Sequence, residues 1–142
     1  MEDGMVLPHS TDAEREVLGA LMLSPHLLDD VLMMGLRASD FYLSRHGNLF
    51  TAMIKAYGEH QTFDEIVIKS IMEDMGVWEQ SGGFYALSEV LERKGTTTNI
   101  GRYAQIVIEK ALKRAIVEAG ERVSHLGFGD LPGYAALDQA EE

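Results

Sequence analysis

The sequence predicts an all-α fold, a small globular helical head followed by one long helix. Three observations carry that expectation. No stretch alternates apolar and polar residues with the two-residue period of a half-buried strand. Between residues 10 and 98, short segments place apolar side chains at three- and four-residue steps, each bounded by Gly, Pro or a capping residue. Residues 99–126, NIGRYAQIVIEKALKRAIVEAGERVSHL, then keep the same period without a proline.

The elements follow in order. Residues 1–9 form an expected flexible leader that carries Pro8. Thr11-Asp12-Ala13-Glu14 fits the S/T-x-x-E capping box, and Ala13, Val17, Leu18, Leu21 and Met22 supply a buried face to the first helix. Gly19 inside it costs about 1 kcal/mol relative to Ala, which a close helix crossing would explain. Ser24-Pro25 opens a second helix with Pro at its first position, burying Leu27, Leu28, Val31 and Leu32 and stopping at Gly35. Asp40-Phe41-Tyr42 is a short turn that plugs aromatics into the core.

A third helix, about 45–57, carries His46, Leu49, Phe50, Met53, Ile54 and Tyr57 on one side and ends at Gly58. Asp64 caps a fourth, with Val67, Ile68, Ile71, Met72 and Met75 inward and Gly76 as its stop. Gly82-Gly83 breaks the chain before a fifth, with Phe84, Leu87, Val90 and Leu91. Gly95 and the threonines at 96–98 make the loop into the long helix. Burying one large apolar side chain contributes about 1.5–3 kcal/mol, and each short helix offers only a few. None would stand alone, so they are expected to pack into one head spanning 10–98.

The long helix has Asn99 as its N-cap and Gly127 as its expected stop. Ile100, Ala104, Val107, Ala111, Ala115, Ala119, Val123 and Leu126 make one apolar stripe. Tyr103, Ile106, Ile108, Leu112, Ile116 and Val117 widen it beyond what a single neighbour needs. Glu109 to Lys113 and Glu118 to Arg122 are i,i+4 pairs in the favourable orientation, about 0.2–0.5 kcal/mol each. At 1.5 Å per residue the rod is roughly 40 Å long, so its surplus apolar surface calls for a second chain or a later part of this one. Residues 127–142 comprise the connector GFGDLPG and a restarted helical pattern (Tyr134, Leu137, Ala140), which suggests that more sequence follows.

Composition bounds the chemistry. With 142 residues, 46% of them hydrophobic and 25% charged, the chain suits one globular domain. It has no cysteine, hence no disulfide framework and no thiolate site, which suits a reducing cytoplasm. MEDGMVLPHS lacks the basic and apolar regions of a secretory signal, and no apolar run approaches the ~20 residues that span a bilayer. The net charge of −11 argues against general polyanion binding. Arg93, Lys94, Arg102, Lys110, Lys113, Arg114 and Arg122 nevertheless outnumber Glu109, Glu118 and Glu121 between 93 and 122. That segment is either a solvated helix face or a patch for an acidic partner or for single-stranded DNA.

No catalytic, cofactor-binding or metal-binding residue is expected. Gly-Lys-Ser/Thr occurs nowhere, and Gly127-x-Gly129-x-x-x-Gly133 misses the dinucleotide spacing and follows no strand. The histidines at 9, 26, 46, 60 and 125 never fall at H-x-x-x-H spacing, and His46 suits a core or capping role. Asp29-Asp30 and Glu141-Glu142 are neighbours in sequence that point apart, not an acid/base couple. The eight methionines suit helix packing.

Pro8-His9-Ser10, Asp12-Ala13-Glu14 and Val17-Leu18-Gly19-Ala20-Leu21-Met22-Leu23 come first, followed by Asp40-Phe41-Tyr42 with His46 and Phe50. Phe63-Asp64, Gly82-Gly83, Asn99-Ile100, Tyr103-Ala104-x-Ile106-Val107, Glu109-Lys110 and Arg114 complete the series. In this order and spacing they resemble the N-terminal domain of bacterial replicative DnaB helicases, and Leu137-Asp138-Gln139-Ala140-Glu141 resembles the start of that family's linker. The resemblance implies a helical head followed by a helical hairpin, with 99–126 as its first arm and 127–142 as the connector and the start of the second. Hairpins of this family pair between subunits, and three dimers build the collar of a hexameric ring. Ile106, Ile108, Leu112 and Ile116 are then the candidates for self-association. ATP and Mg belong to a RecA-like domain beyond the linker, whose motifs this chain lacks.

The family's collar also docks the C-terminal helicase-binding domain of primase, through an aromatic after the double glycine and apolar positions on the hairpin helix. The latter align with Val117 and Val123. The family pattern Gly-Gly-x-x-Tyr-Leu reads here as Gly82-Gly83-Phe84-Tyr85-Ala86-Leu87, so Phe84, Tyr85 and Ala86 share the candidacy. A helicase loader is a further implied partner. Two other readings compete: a single-stranded-DNA contact through Arg102, Lys110, Lys113 and Arg114, and a stand-alone helical adaptor.

Overall fold

The structure is a computed structural model that describes residues 6–92 and 98–142. Residues 1–5 of the expected leader, Arg93 and Lys94 of the basic segment, and Gly95, Thr96 and Thr97 of the expected loop lie outside the described residues. The elements are α1 (Thr11–Leu23), a 3-10 turn (Pro25–Leu27), α2 (Leu28–Met33), a second 3-10 turn (Ala38–Asp40), α3 (Ser44–His60), α4 (Glu65–Asp74), α5 (Gly83–Leu91), α6 (Ile100–Phe128) and α7 (Gly133–Ala140). Among the described residues there is no strand. The chain divides into two compact units, His9–Ala111 and Leu112–Glu142 with the residues up to Pro8. The opening turns of α6 therefore belong to the head.

In the head, α1 starts one residue earlier than the motif suggests. Ser10 is the N-cap, its hydroxyl accepting from the Ala13 N–H at 3.2 Å, and the box expected from Thr11 and Glu14 does not form. Glu14 turns inward and is buried. Its carboxylate accepts from the Tyr42 N–H at 2.6 Å, from the Leu43 N–H at 3.5 Å and from His46 Nδ1 at 2.7 Å. A carboxylate only accepts, so Nδ1 carries the proton of that bond. Leu43 is the N-cap position of α3 and makes no side-chain cap bond. Glu14 thus supplies from α1 the negative charge and acceptors that the start of α3 lacks. His46 is a core histidine.

Around this tie sits one apolar core. Val17, Leu18 and Leu21 of α1 meet Leu28 and Val31 of α2, Phe50 and Met53 of α3, Ile68 and Met72 of α4, and Leu87 and Val90 of α5. Ile100, Ala104 and Val107 of α6 close it. Gly47 is needed on α3, because a β-carbon there would lie 2.9 Å from the Ala38 carbonyl oxygen. Glu89 of α5 pairs with Arg15 of α1 at 3.3 Å and Arg45 of α3 at 3.9 Å. The Tyr57 hydroxyl donates to Asp29 at 2.9 Å, and that bond to a carboxylate raises the phenol's pKa above its ordinary value.

Several boundaries differ from expectation. α3 runs through Gly58 to His60 and closes on Gln61 at φ 58°, because an exposed glycine weakens a helix without ending it when flanking turns are packed. α4 has the expected cap, Asp64 accepting from the Val67 N–H at 2.9 Å, and the expected stop at Gly76, φ 74°. Leu32, Ile54, Tyr42 and Phe84 are exposed rather than buried. Tyr42 stacks on His9, ring centroids 4.1 Å apart, so His9 has an ordered ring contact rather than a leader's freedom.

In the second unit α6 passes through Gly127 and ends at Phe128. Ala115, Ala119 and Val123 of the expected stripe are exposed there, and Leu126 is half-buried. Arg122, expected to pair with Glu118, reaches the Gln139 carbonyl at 3.4 Å and joins α6 to α7. Arg114 is 8% exposed and donates Nη1 to the Pro8 carbonyl at 2.8 Å.

Replacing Glu14 by Ala would strand two backbone N–H groups and an imidazole N–H in the core. Urea denaturation followed by circular dichroism is expected to show a loss of about 3 kcal/mol, with Glu14→Gln losing less because its amide oxygen still accepts.

Candidate functional site

The double glycine sets the aromatic site. Gly82 (φ 95°) and Gly83 (φ 56°) are both left-handed, which lets the chain turn out of the Trp78 segment and start α5 at Gly83. The turn leaves Phe84 60% exposed and Tyr85 76% exposed on the first turn of α5. The Phe84 ring meets Trp78 edge-to-face at 5.1 Å and 88°, and Lys69 Nζ of α4 stands 4.9 Å from its centroid. Ala86 faces the other way. A β-carbon on Gly82 would come within 2.8 Å of the Ala86 methyl, and Ala86 lines a small apolar pocket with His46, Leu49, Met72, Trp78 and Leu87. Of the three candidates after the double glycine, only Phe84 and Tyr85 present a ring to solvent.

The remaining candidates fall on α6. Ile106 and Ile108 are half-buried against the head's core and so are largely used within the chain. Leu112 and Ile116, by contrast, are exposed, Ile116 at 71%. Val117 is half-buried. Val123 borders a groove between α6 and α7 with Leu126, Leu131, Ala136, Leu137 and Ala140. Phe128, 90% exposed, and Leu131 add apolar surface in the stretch that sequence reasoning assigned to a connector, next to exposed Tyr134 of the restarted helical pattern. The signal was there, since a turn that needs only Gly, Asp and Pro carries two large apolar residues.

The basic patch is smaller than its sequence. Arg102 and Lys113 are exposed and Lys110 is half-buried, but Arg114 is committed to the Pro8 carbonyl and leaves the patch. Arg102 and Lys110 border a shallow depression shared with Gln105, Ile106 and Glu109, whose carboxylate offsets part of their charge. Among the described residues no His, Asp and Glu cluster could hold a metal ion, and no helix is long and apolar enough to cross a membrane.

The sequence model of the DnaB-like helicase N-terminal domain matches residues 6–109. The chain belongs to that family. It is 36% identical over 126 residues to the replicative DNA helicase DnaB of Mycobacterium leprae, covering 89% of this chain and 21% of that protein. To the replicative DNA helicase DnaB of Haemophilus influenzae it is 36% identical over 121 residues, 85% of this chain and 26% of that protein. The chain thus spans about a quarter or less of the curated relatives it matches. The crystal structure of the N-terminal domain of DnaB helicase from Mycobacterium tuberculosis is 35% identical and superposes with a TM-score of 0.86 over 96% of each chain. The all-helical fold is therefore that of the DnaB N-terminal domain.

Gly82→Ala tests the geometry on which the exposed rings depend. The methyl group meets both an unfavourable φ and the Ala86 side chain, so thermal denaturation is expected to register a loss of about 2 kcal/mol.

Proposed function

We propose that this domain is the N-terminal collar of a hexameric replicative DNA helicase, pairing with copies of itself and recruiting the helicase-binding domain of primase. Its contribution is positional. Nucleotide hydrolysis with ATP and Mg, and movement along DNA, belong to a RecA-like domain of the full-length protein, and this chain contributes no catalytic group. A helicase loader is a further partner, and the cytoplasm is the setting.

The observation that carries the reading is the uncovered apolar side of α6 and α7, with Leu112, Ile116, Phe128, Leu131, Tyr134 and Leu137 all exposed. A two-fold pair buries each of these positions twice, and each large side chain covered contributes about 1.5–3 kcal/mol. The single-stranded-DNA alternative has less behind it, because Arg114 is bonded within the chain and the net charge of −11 opposes phosphate.

Light scattering at rising concentration is expected to give at least a dimer, and the double variant Leu112→Asp, Ile116→Asp a monomer with unchanged helical circular dichroism. A wild-type chain that stays monomeric throughout rejects self-association. Val117→Asp and Val123→Asp are each expected to abolish calorimetric binding of the primase C-terminal domain, again with unchanged dichroism. Undiminished binding by both rejects the docking assignment.

A further inference from the structure

The chain has eight methionines and no cysteine, so its thioethers are the side chains most open to mild oxidants. Their settings differ widely. Met53 of α3 and Met72 of α4 are buried in the core, and Met22 and Met75 are half-buried against it. Met33, the last residue of α2, is 88% exposed, and Met34 beside it is exposed as well. Met1 and Met5 lie outside the described residues.

Helix geometry explains the exposure. At 3.6 residues per turn, Met33 lies about 200° around the helix from Val31, which with Leu28 fastens α2 to the core. The end of the helix is set by backbone bonds rather than by the Met33 side chain. The Gly35 N–H donates to the Leu32 carbonyl at 3.0 Å and the Leu36 N–H to the Val31 carbonyl at 3.1 Å, with Gly35 left-handed at φ 94°. A polar group added to the Met33 sulfur would therefore meet water. On Met53 or Met72 the same group would be forced into the apolar core, where an unpaired polar group is costly.

We propose that Met33 is a site of reversible oxidation by hydroperoxides, at which a sulfoxide forms without disturbing the fold. The thioether sulfur attacks the terminal oxygen of the hydroperoxide, and the S–O bond forms as the O–O bond breaks. The proton passes to the leaving oxygen, which departs as an alcohol, or as water from hydrogen peroxide. Sulfur gives up two electrons and the peroxide accepts them. Return to the thioether belongs to a thiol-dependent methionine sulfoxide reductase, which must take the sulfoxide into its own active site and so needs an accessible side chain. Leu32, Met33 and Met34 form an exposed apolar run at the end of α2, and oxidation turns its middle residue polar.

Treatment of the whole chain with hydrogen peroxide, followed by mass spectrometry of its tryptic peptides, tests the assignment. Fragmentation of peptide 16–37 places each added oxygen on Met22, Met33 or Met34. Met33 is expected to be oxidised about tenfold or more faster than Met53 or Met72. At a dose that converts Met33 and spares those two, the thermal melt is expected to coincide with that of the untreated chain. Met33→Leu is expected to melt with the wild type and to slow the first oxygen uptake by peptide 16–37 about threefold or more. Reductases for both sulfoxide epimers, supplied with a thiol, are expected to return Met33 to the thioether. The site is overturned if Met53 or Met72 takes up oxygen as fast as Met33, or if Met33→Leu leaves the uptake unchanged. A melt that shifts once Met33 is oxidised overturns its neutrality towards the fold. A sulfoxide that the reductases leave in place overturns its reversibility.

Discussion

The acceptance of three donors by one buried carboxylate underlies the arrangement of the head. Glu14 leaves α1 and ends against the Tyr42 and Leu43 amides and His46 Nδ1, at the point where α3 begins without a cap of its own. A helix start hidden from water needs acceptors for its amides, and no side chain between Leu43 and Asn48 provides them. Once Glu14 does, α3 can run next to α1 and against α4, carrying Phe50 and Met53 into the centre. Gly47, tight against the Ala38 carbonyl, follows from the same close docking.

That tie also explains where sequence reasoning stopped. Amphipathic period and capping residues located the helices well, because both depend on neighbours three or four positions away. The Asp64 cap and the turns at Gly76 and Gly82-Gly83 are of this local kind. Glu14 is not. In sequence it has the spacing of a capping box, and only the fold discloses that its partners lie about thirty residues on. Gly58 and Gly127 misled for a related reason. A glycine ends a helix only where the chain has somewhere else to go, and here the turns across each are held, the Gln61 N–H donating to the Tyr57 carbonyl and the Gly129 N–H to the Leu126 carbonyl.

The candidate surfaces were legible to a similar degree. An apolar excess on α6 could be counted from the sequence, but not which of its residues the head would use. Ile106 and Ile108 went inward, while Leu112 and Ile116 stayed in water. The same holds after the double glycine, where three neighbouring residues looked equivalent. The left-handed pair of glycines sends Ala86 inward and Phe84 and Tyr85 outward. The Trp78 and Lys69 contacts distinguish the two rings that remain.

Arg114 holds a main-chain oxygen, and this has a consequence for how the amino-terminal tail tolerates change. Recognition of a carbonyl is indifferent to the side chain that bears it, so residue 8 could be exchanged for many others with the bond intact. Trimming the tail past residue 8 is another matter, for a guanidinium that has given up most of its hydration would lose the carbonyl that accepts from its Nη1. Position 8 is thus free in spelling but not dispensable.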